Sequence, residues 1–280
     1  MVQLLNKDRF PIGMGTWHMG ETSAKRKQEI EAIRHGVDIG MEIIDTAEMY
    51  GEGNSESLVG EAIKNISRED IFLISKFYPH HAKEPDLGRS LQQSLRRLGT
   101  DYLDMYLLHW RSNYPLEQTI DTLEKYVEQG VIRSWGVSNF DVADIQEMWN
   151  IKGGQHCAAN QVLYNISSRG IEYDLLPMQK RQSLPTIAYA PIAQGDTRGD
   201  SIVENQVIQA IAKQHHVTVF QIMLAWTIRH DDILAIPQSS DTKHIQENME
   251  AATIQLSNEE LTLLDAEFPA PTSKMPLDII

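Results

Sequence analysis

Three residues of reactive type close or follow short apolar runs: Asp45 ends MEIID, Lys76 follows IFLIS and His109 follows DMYLL. A fourth, Tyr50, lies a few residues beyond Asp45. A free phenol has a pKa of about 10, too high to exchange protons efficiently near neutrality. A neighbouring ammonium favours the phenolate and lowers that value, and a carboxylate keeps the ammonium charged and oriented. An imidazole in the same place can donate a hydrogen bond to a carbonyl oxygen as negative charge develops there. Together the four suit protonation of an oxygen during carbonyl reduction, with no covalent nucleophile. Each has a plainer reading when taken alone. Lys76 would be a solvated lysine, His109 a structural histidine, Asp45 a turn or helix cap, and Tyr50 a packing residue. The chemical reading therefore depends on a fold that collects them on one face.

The chain alternates apolar runs with amphipathic stretches. GMGTW (13–17), MEIID (41–45), IFLIS (71–75), YLDMYLL (102–108), VIRSWGVS (131–138), CAANQVL (157–163), TIAYAPI (186–192) and DILAIP (232–237) read as strands. Helices are expected at 24–40, through Leu58–Ile63, at 141–149, at 174–182, around 203–215 and around 218–230. Leu87, Leu91, Leu95 and Leu98 repeat helically and stop at Gly99; Leu116, Ile120, Leu123 and Val127 do so before Gly130. Glycine suits the position just past a helix end. Pro177 confines its helix to a start in the first turn or a kink.

Strands apolar throughout, each followed by a helix, imply a parallel sheet covered by helices. Eight such units predict an α/β fold, the (β/α)8 TIM barrel, for which roughly 250 residues is typical. The surplus is an N-terminal stretch, an extra helix and a short C-terminal tail. The doubly wound alternative needs a Gly-rich turn after the first strand. GMGTWHMG (13–20) lacks its spacing, and no helix opens on its second glycine. In a barrel, active groups sit at the C-terminal ends of strands, where Asp45, Lys76 and His109 fall.

The 280 residues carry 25 Lys+Arg and 39 Asp+Glu, a net charge of −14. A hydrophobic share of 41% with 23% charged residues is that of an ordinary globule. The acidic balance opposes a nucleic-acid footprint or a polybasic membrane surface. A lone cysteine, Cys157, cannot form an internal disulfide and suits a reducing, cytoplasmic setting. The N-terminus lacks a signal-peptide pattern, and no apolar run approaches the ~18 residues of a membrane span. With no linker-like stretch, residues 1–280 are expected to form a single domain. His80–His81 and His215–His216 lack a third ligand at sensible spacing and read as solvated, so no metal is expected.

IIDTAEMYGEGNSESLVGEAI (43–63) resembles the aldo-keto reductase signature. ISKFYP (74–79), LLHW (107–110), GVSNF (136–140), NQVLYN (160–165), AYAPIAQG (188–195) and IPQSSDTKHIQENM (236–249) match further family blocks in order. The resemblance runs from about residue 10 to 268. A narrower likeness to bacterial methylglyoxal reductases lies in GTWHMGE (15–21), SRGIEYDLLP (168–177) and PAPTSKMPLDII (269–280). It implies an NADP(H)-dependent reductase of small aldehydes and α-oxoaldehydes such as methylglyoxal, acting as a cytoplasmic monomer, with NADH also accepted.

The resemblance makes Tyr50 the proton donor, Lys76 its activator, Asp45 the partner of Lys76, and His109 the group that orients the carbonyl. Ser138, Asn139 and Gln161 match the residues that hold the nicotinamide carboxamide, and Tyr189 the aromatic under its ring. Glu247 and Asn248 match the residues that hold the adenine, Ser239 and Lys243 remain available beside them, and Gln238 and His244 stand where NADPH-preferring relatives carry a lysine and an arginine. Trp17 and Trp110 are expected as pocket walls, with Tyr78, Met49 and His18 as further candidates. The brief segments after His109 and after Phe268 imply an open substrate pocket. The family also contains potassium-channel subunits that bind the cofactor and serve chiefly as partners. A redox-sensing or regulatory subunit with little turnover is therefore the alternative reading.

Overall fold

A computed structural model describes residues 1–193 and 202–280, so Gln194 and Gly195 of the AYAPIAQG block lie outside the described residues. The chain opens with a hairpin, β1 (Val2–Leu4) and β2 (Lys7–Arg9). Its turn residues Leu5 and Asn6 both have positive φ, the geometry that matches strand twist in tight hairpins. The barrel strands follow: β3 (Met14–Gly15), β4 (Ile43–Asp45), β5 (Phe72–Phe77), β6 (Met105–Leu108), β7 (Trp135–Ser138), β8 (Asn160–Leu163), β9 (Thr186–Tyr189) and β10 (Ile233–Ala235). They pair in parallel, each with its sequence neighbour, from β3 to β10.

The seam between β10 and β3 is closed by backbone bonds. Gly13 donates to the Ala235 carbonyl at 2.8 Å, Gly15 to Pro237 at 3.0 Å, and Ala235 to Pro11 at 2.9 Å. This contact requires glycine at residue 15, since a Cβ there would stand 2.6 Å from the Ile236 carbonyl oxygen. The fold is the expected (β/α)8 barrel.

Most strands are shorter than the apolar runs that announced them. Leu103 and Ile132, both in those runs, form only an isolated bridge before β6 and β7 begin. β5 runs the other way and continues through Lys76 to Phe77, so Lys76 lies inside a strand. An unforeseen feature closes the far end of the barrel. Val2 and Leu4 of the hairpin are buried against Ile43, Phe72, Ile74 and Met105. Burying such side chains stabilises by roughly 1.5–3 kcal/mol each, so the N-terminal stretch is a plug and not a loose lead-in.

Helices α1 (Arg26–Asp38), α2 (Asn54–Ile63), α3 (Asp86–Leu98), α4 (Leu116–Glu128), α5 (Val142–Trp149) and α6 (Leu175–Arg181) wrap the sheet. They bury the stripes read from the sequence, such as Leu87, Leu91 and Leu98 of α3. Gly99 and Gly130 take positive φ past α3 and α4 as expected, and Pro177 falls in the first turn of α6. Helices Gln206–His215 and Val219–Thr227 lie between β9 and β10. Thr242–Ala251 and Asn258–Glu267 complete the chain before the tail. Among the described residues no helix is long and apolar enough to cross a membrane.

Candidate active site

The strand period of two builds the site. Ile43, Phe72, Ile74, Met105, Leu107, Ala159, Ile187 and Leu234 form the apolar cluster inside the barrel. Two residues further on, the same faces present Asp45 on β4, Lys76 on β5, His109 after β6, Gln161 on β8 and Tyr189 on β9. A dry apolar floor thus carries a single polar layer. Tyr50 comes to it from the short helical turn after β4.

The layer is tightly bonded. Lys76 Nζ donates to Asp45 Oδ2 at 2.6 Å, to the Thr46 carbonyl at 3.0 Å, and lies 2.9 Å from Tyr50 Oη. Gln161 Nε2 donates to the other Asp45 oxygen at 2.8 Å. Asp45 and Lys76 are buried completely or nearly so. The His109 ring meets Tyr50 edge-on, with centroids 5.9 Å apart.

Burial would lower the Lys76 pKa, but Asp45 and Tyr50 together outweigh it and hold the ammonium above its ordinary range. Burial also raises Tyr50; Lys76 pulls it down, as the sequence implies, but only in part. Tyr50 is therefore a protonated phenol at neutral pH, with a cation beside it to receive the negative charge once the proton leaves. Burial and the Lys76 charge together lower His109 to about 3. The imidazole is neutral, so it donates a hydrogen bond and does not serve as an acid. Its Nδ1 is buried without a partner. Its one proton is therefore best placed on Nε2, where a ligand in the cavity can accept from it.

A cavity of about 330 Å³ opens over this layer. Asp45, Tyr50, His109, Ser138, Asn139, Gln161, Tyr189 and Trp17 all line it. The Asn139 side chain donates to the His109 carbonyl at 3.1 Å and accepts from the Tyr189 hydroxyl at 2.9 Å. Ser138 Oγ donates to the Gln161 carbonyl at 2.9 Å. The Gln161 side-chain oxygen accepts nothing from the described residues and is available to an amide-bearing ligand. A second cavity of about 390 Å³ shares Ile192 and Gln238 with the first and continues past Ser239, His244, Glu247 and Asn248. The two cavities thus adjoin at Ile192 and Gln238, one over the polar layer and the other at the start of helix Thr242–Ala251. Their donor set and reach fit an extended dinucleotide.

The aldo/keto reductase family model matches residues 11–267. The chain belongs to the aldo/keto reductase family. It is 46% identical to the methylglyoxal reductase YeaE of Escherichia coli over 281 aligned residues, covering 100% of this chain and 99% of that one. It is 32% identical to a glyoxal reductase of Bacillus subtilis, over 95% of this chain and 91% of the relative. An aldo/keto reductase from Klebsiella pneumoniae, solved in complex with NADP and acetate, superposes with a TM-score of 0.94 at 49% identity. That match covers 96% of this chain and 95% of the other.

Other expected site residues are placed less centrally in this aldo/keto reductase. Met49 and His18 line the first cavity. Trp110 and Tyr78 do not; Trp110 packs on His109 at 5.0 Å, and Tyr78 meets Trp110 edge-on at 6.2 Å. The pocket is also less open than the short tail implied. Lys274 bridges Asp141 at 2.6 Å and Asp174 at 3.0 Å, pinning the tail across two loops, and Ile280 reaches the cavity wall. Nor are all four paired histidines simply solvated, since His81 sits 2.8 Å from Glu48 and His215 2.7 Å from Glu260. Among the described residues no group of three or more metal-ligating side chains gathers.

Sequence reading missed Thr16, Ile192, Ile236 and Ile280 around the first cavity, and Gln28, Thr218, Phe220 and Asp241 around the second. Thr16 and the isoleucines carry no chemical signature, and Gln28 and Phe220 lie on helices whose approach to the second cavity the sequence does not show. Asp241 was legible in principle, as a residue of capping type just before a helical stretch.

Proposed function

We propose that this aldo/keto reductase reduces small aldehydes and α-oxoaldehydes such as methylglyoxal with NADPH, using Asp45, Tyr50, Lys76 and His109. The observation that carries this reading is the contact of Lys76 Nζ with both Asp45 and Tyr50 Oη, on the floor of a cavity that His109 also lines. When bound, the nicotinamide supplies the hydride for the carbonyl carbon. Tyr50 Oη gives its proton to the carbonyl oxygen, so hydride and proton together convert the carbonyl to an alcohol. The Lys76 ammonium stabilises the phenolate left behind, and Asp45 keeps Lys76 charged and aimed. His109 Nε2–H donates to the same oxygen, both fixing its place and stabilising its developing charge.

Ser138, Asn139 and Gln161 would hold the carboxamide and Tyr189 would lie under the ring. Ser239, Glu247 and Asn248 would hold the adenosine end, with Gln238 and His244 near its phosphate. That end carries little fixed positive charge. Lys243 faces Glu247 at 3.5 Å, and the Asp241 carboxylate already accepts the Lys243 amide at the helix N-terminus. NADPH is thus preferred over NADH by a narrow margin. The names of the relatives, all reductases, favour turnover over the regulatory-subunit reading. The same reading takes the enzyme to be a cytoplasmic monomer whose partner is its small carbonyl substrate.

The test is to follow oxidation of NADPH and of NADH by the pure protein against a panel of aldehydes. Aldehyde-dependent oxidation, fastest with small α-oxoaldehydes, is expected; tight cofactor binding without turnover would overturn the proposal.

A further inference from the structure

Glu48 stands between Asp45 and Tyr50 on the loop after β4, is almost fully buried, and has no part in the proton transfer. Its backbone N–H donates to the carbonyl of Lys76 at 3.2 Å. Its carboxylate meets three donors from the neighbouring unit. Oε1 accepts from the Tyr78 amide at 2.7 Å and lies 2.8 Å from His81 Nδ1, while Oε2 accepts from the Ser90 hydroxyl at 2.6 Å. Burying a carboxylate is costly unless its lone pairs are satisfied, and here one carboxylate is satisfied from one side only.

Tyr78 and His81 belong to the turn between β5 and α3, and Ser90 lies on α3 itself. The Tyr78 ring in that turn stacks on His80 at 4.8 Å and meets His81 edge-on at 5.8 Å. On its other side it meets Trp110, which packs on His109. Tyr78 and Trp110 are thus a coupled aromatic pair beside the reactive imidazole, and Glu48 fixes the backbone that carries Tyr78.

We propose that Glu48, acting with His81, is a positioning residue that holds the Tyr78–Trp110 pair in place behind His109, just outside the cavity, and so sets the preference between compact and bulky carbonyls. This rests on the reduction of α-oxoaldehydes argued above. The pair does not line the cavity itself but flanks it behind His109, so a three-carbon substrate would not meet it and an aromatic substituent extending past His109 would. Release of the Tyr78 turn therefore changes the binding of the second and hardly that of the first.

The experiment compares methylglyoxal with phenylglyoxal, which carries the same reactive group, in wild type, Glu48→Gln, Glu48→Ala and His81→Ala. Melting temperature and NADPH fluorescence titration are recorded alongside. The KM for phenylglyoxal is expected to rise about tenfold in Glu48→Ala and His81→Ala, and less in Glu48→Gln, which keeps an acceptor for the Tyr78 amide. The kcat for methylglyoxal should stay within about twofold, with NADPH binding unchanged. Equal changes for both dicarbonyls, or a lower melting temperature with unchanged kinetics per folded molecule, would show Glu48 to be scaffold only and overturn the inference. If Glu48→Ala fails to fold, His81→Ala and Glu48→Gln decide. A wild type that turns over neither dicarbonyl would instead refute the proposed function.

Discussion

Tyr50 keeps its proton at rest because burial outweighs the pull of Lys76, and that balance makes it a donor in the direction of reduction. Tyr50→Phe should lower kcat/KM by about 10²–10⁴, the usual contribution of a positioned acid, while fluorescence titration shows NADPH binding intact. Near-normal turnover would remove Tyr50 from the role. Lys76→Met should be almost as impaired, and its residual rate should hold to higher pH than wild type. The phenol loses the cation that was pulling its pKa down, so its ionisation moves further upward. A pH–rate profile with an unmoved alkaline limb would exclude Lys76 as the activator. Asp45, Lys76 and His109 were legible because type and place coincide at strand ends, and Tyr50 because it follows Asp45 closely on the next turn. Glu48 was not, although it lies between two of them; a glutamate in a loop reads as solvated, and only the tertiary contacts of Tyr78, His81 and Ser90 show it to be buried.

At the scale of elements, the apolar runs marked every barrel strand, and periodic leucines with a following glycine marked α3 and α4. Strand bounds were less legible, since residues buried just before the ladder begins, such as Leu103 and Ile132, are as apolar as those in it. The opening hairpin went unread because VQL and KDR are too short to show alternation. Helix Thr242–Ala251 shows how much one element can decide. Its N-terminus would attract an anion, yet Asp241 caps it with a carboxylate, and the exposed His244 stands where the family resemblance expects an arginine. Gln238→Lys with His244→Arg would supply two fixed cations there and should tighten NADPH while leaving NADH nearly unaffected. Fluorescence titration of both cofactors with the parent and the double variant is the check. No gain in NADPH affinity would mean that the phosphate is held elsewhere.

For the molecule as a whole, the buried His109 ties stability to acidity. Its pKa falls from 6.5 to about 3 on folding, so between those values the unfolded chain binds a proton that the folded chain refuses. Stability therefore drops as pH falls through that window, by roughly 4 kcal/mol at its lower end. His109→Gln keeps a neutral donor without the titration. Urea unfolding from pH 7 to pH 4 should show a shallower loss of stability for the variant than for wild type. Parallel curves would show that His109 does not govern acid sensitivity. The circular order of the strands has one more consequence. Asp45, Tyr50, Lys76 and His109 all precede α4, whereas every residue assigned to the cofactor follows it, and the Gln161–Asp45 hydrogen bond ties the two sets together. On the proposed assignment the barrel divides into two cassettes, one for proton chemistry and one for dinucleotide choice, joined at the turn near Gly130. A chimera crossed over at that turn, taking its second half from a relative with the opposite nicotinamide preference, should inherit the donor's cofactor and keep the parent's Tyr50-dependent proton transfer.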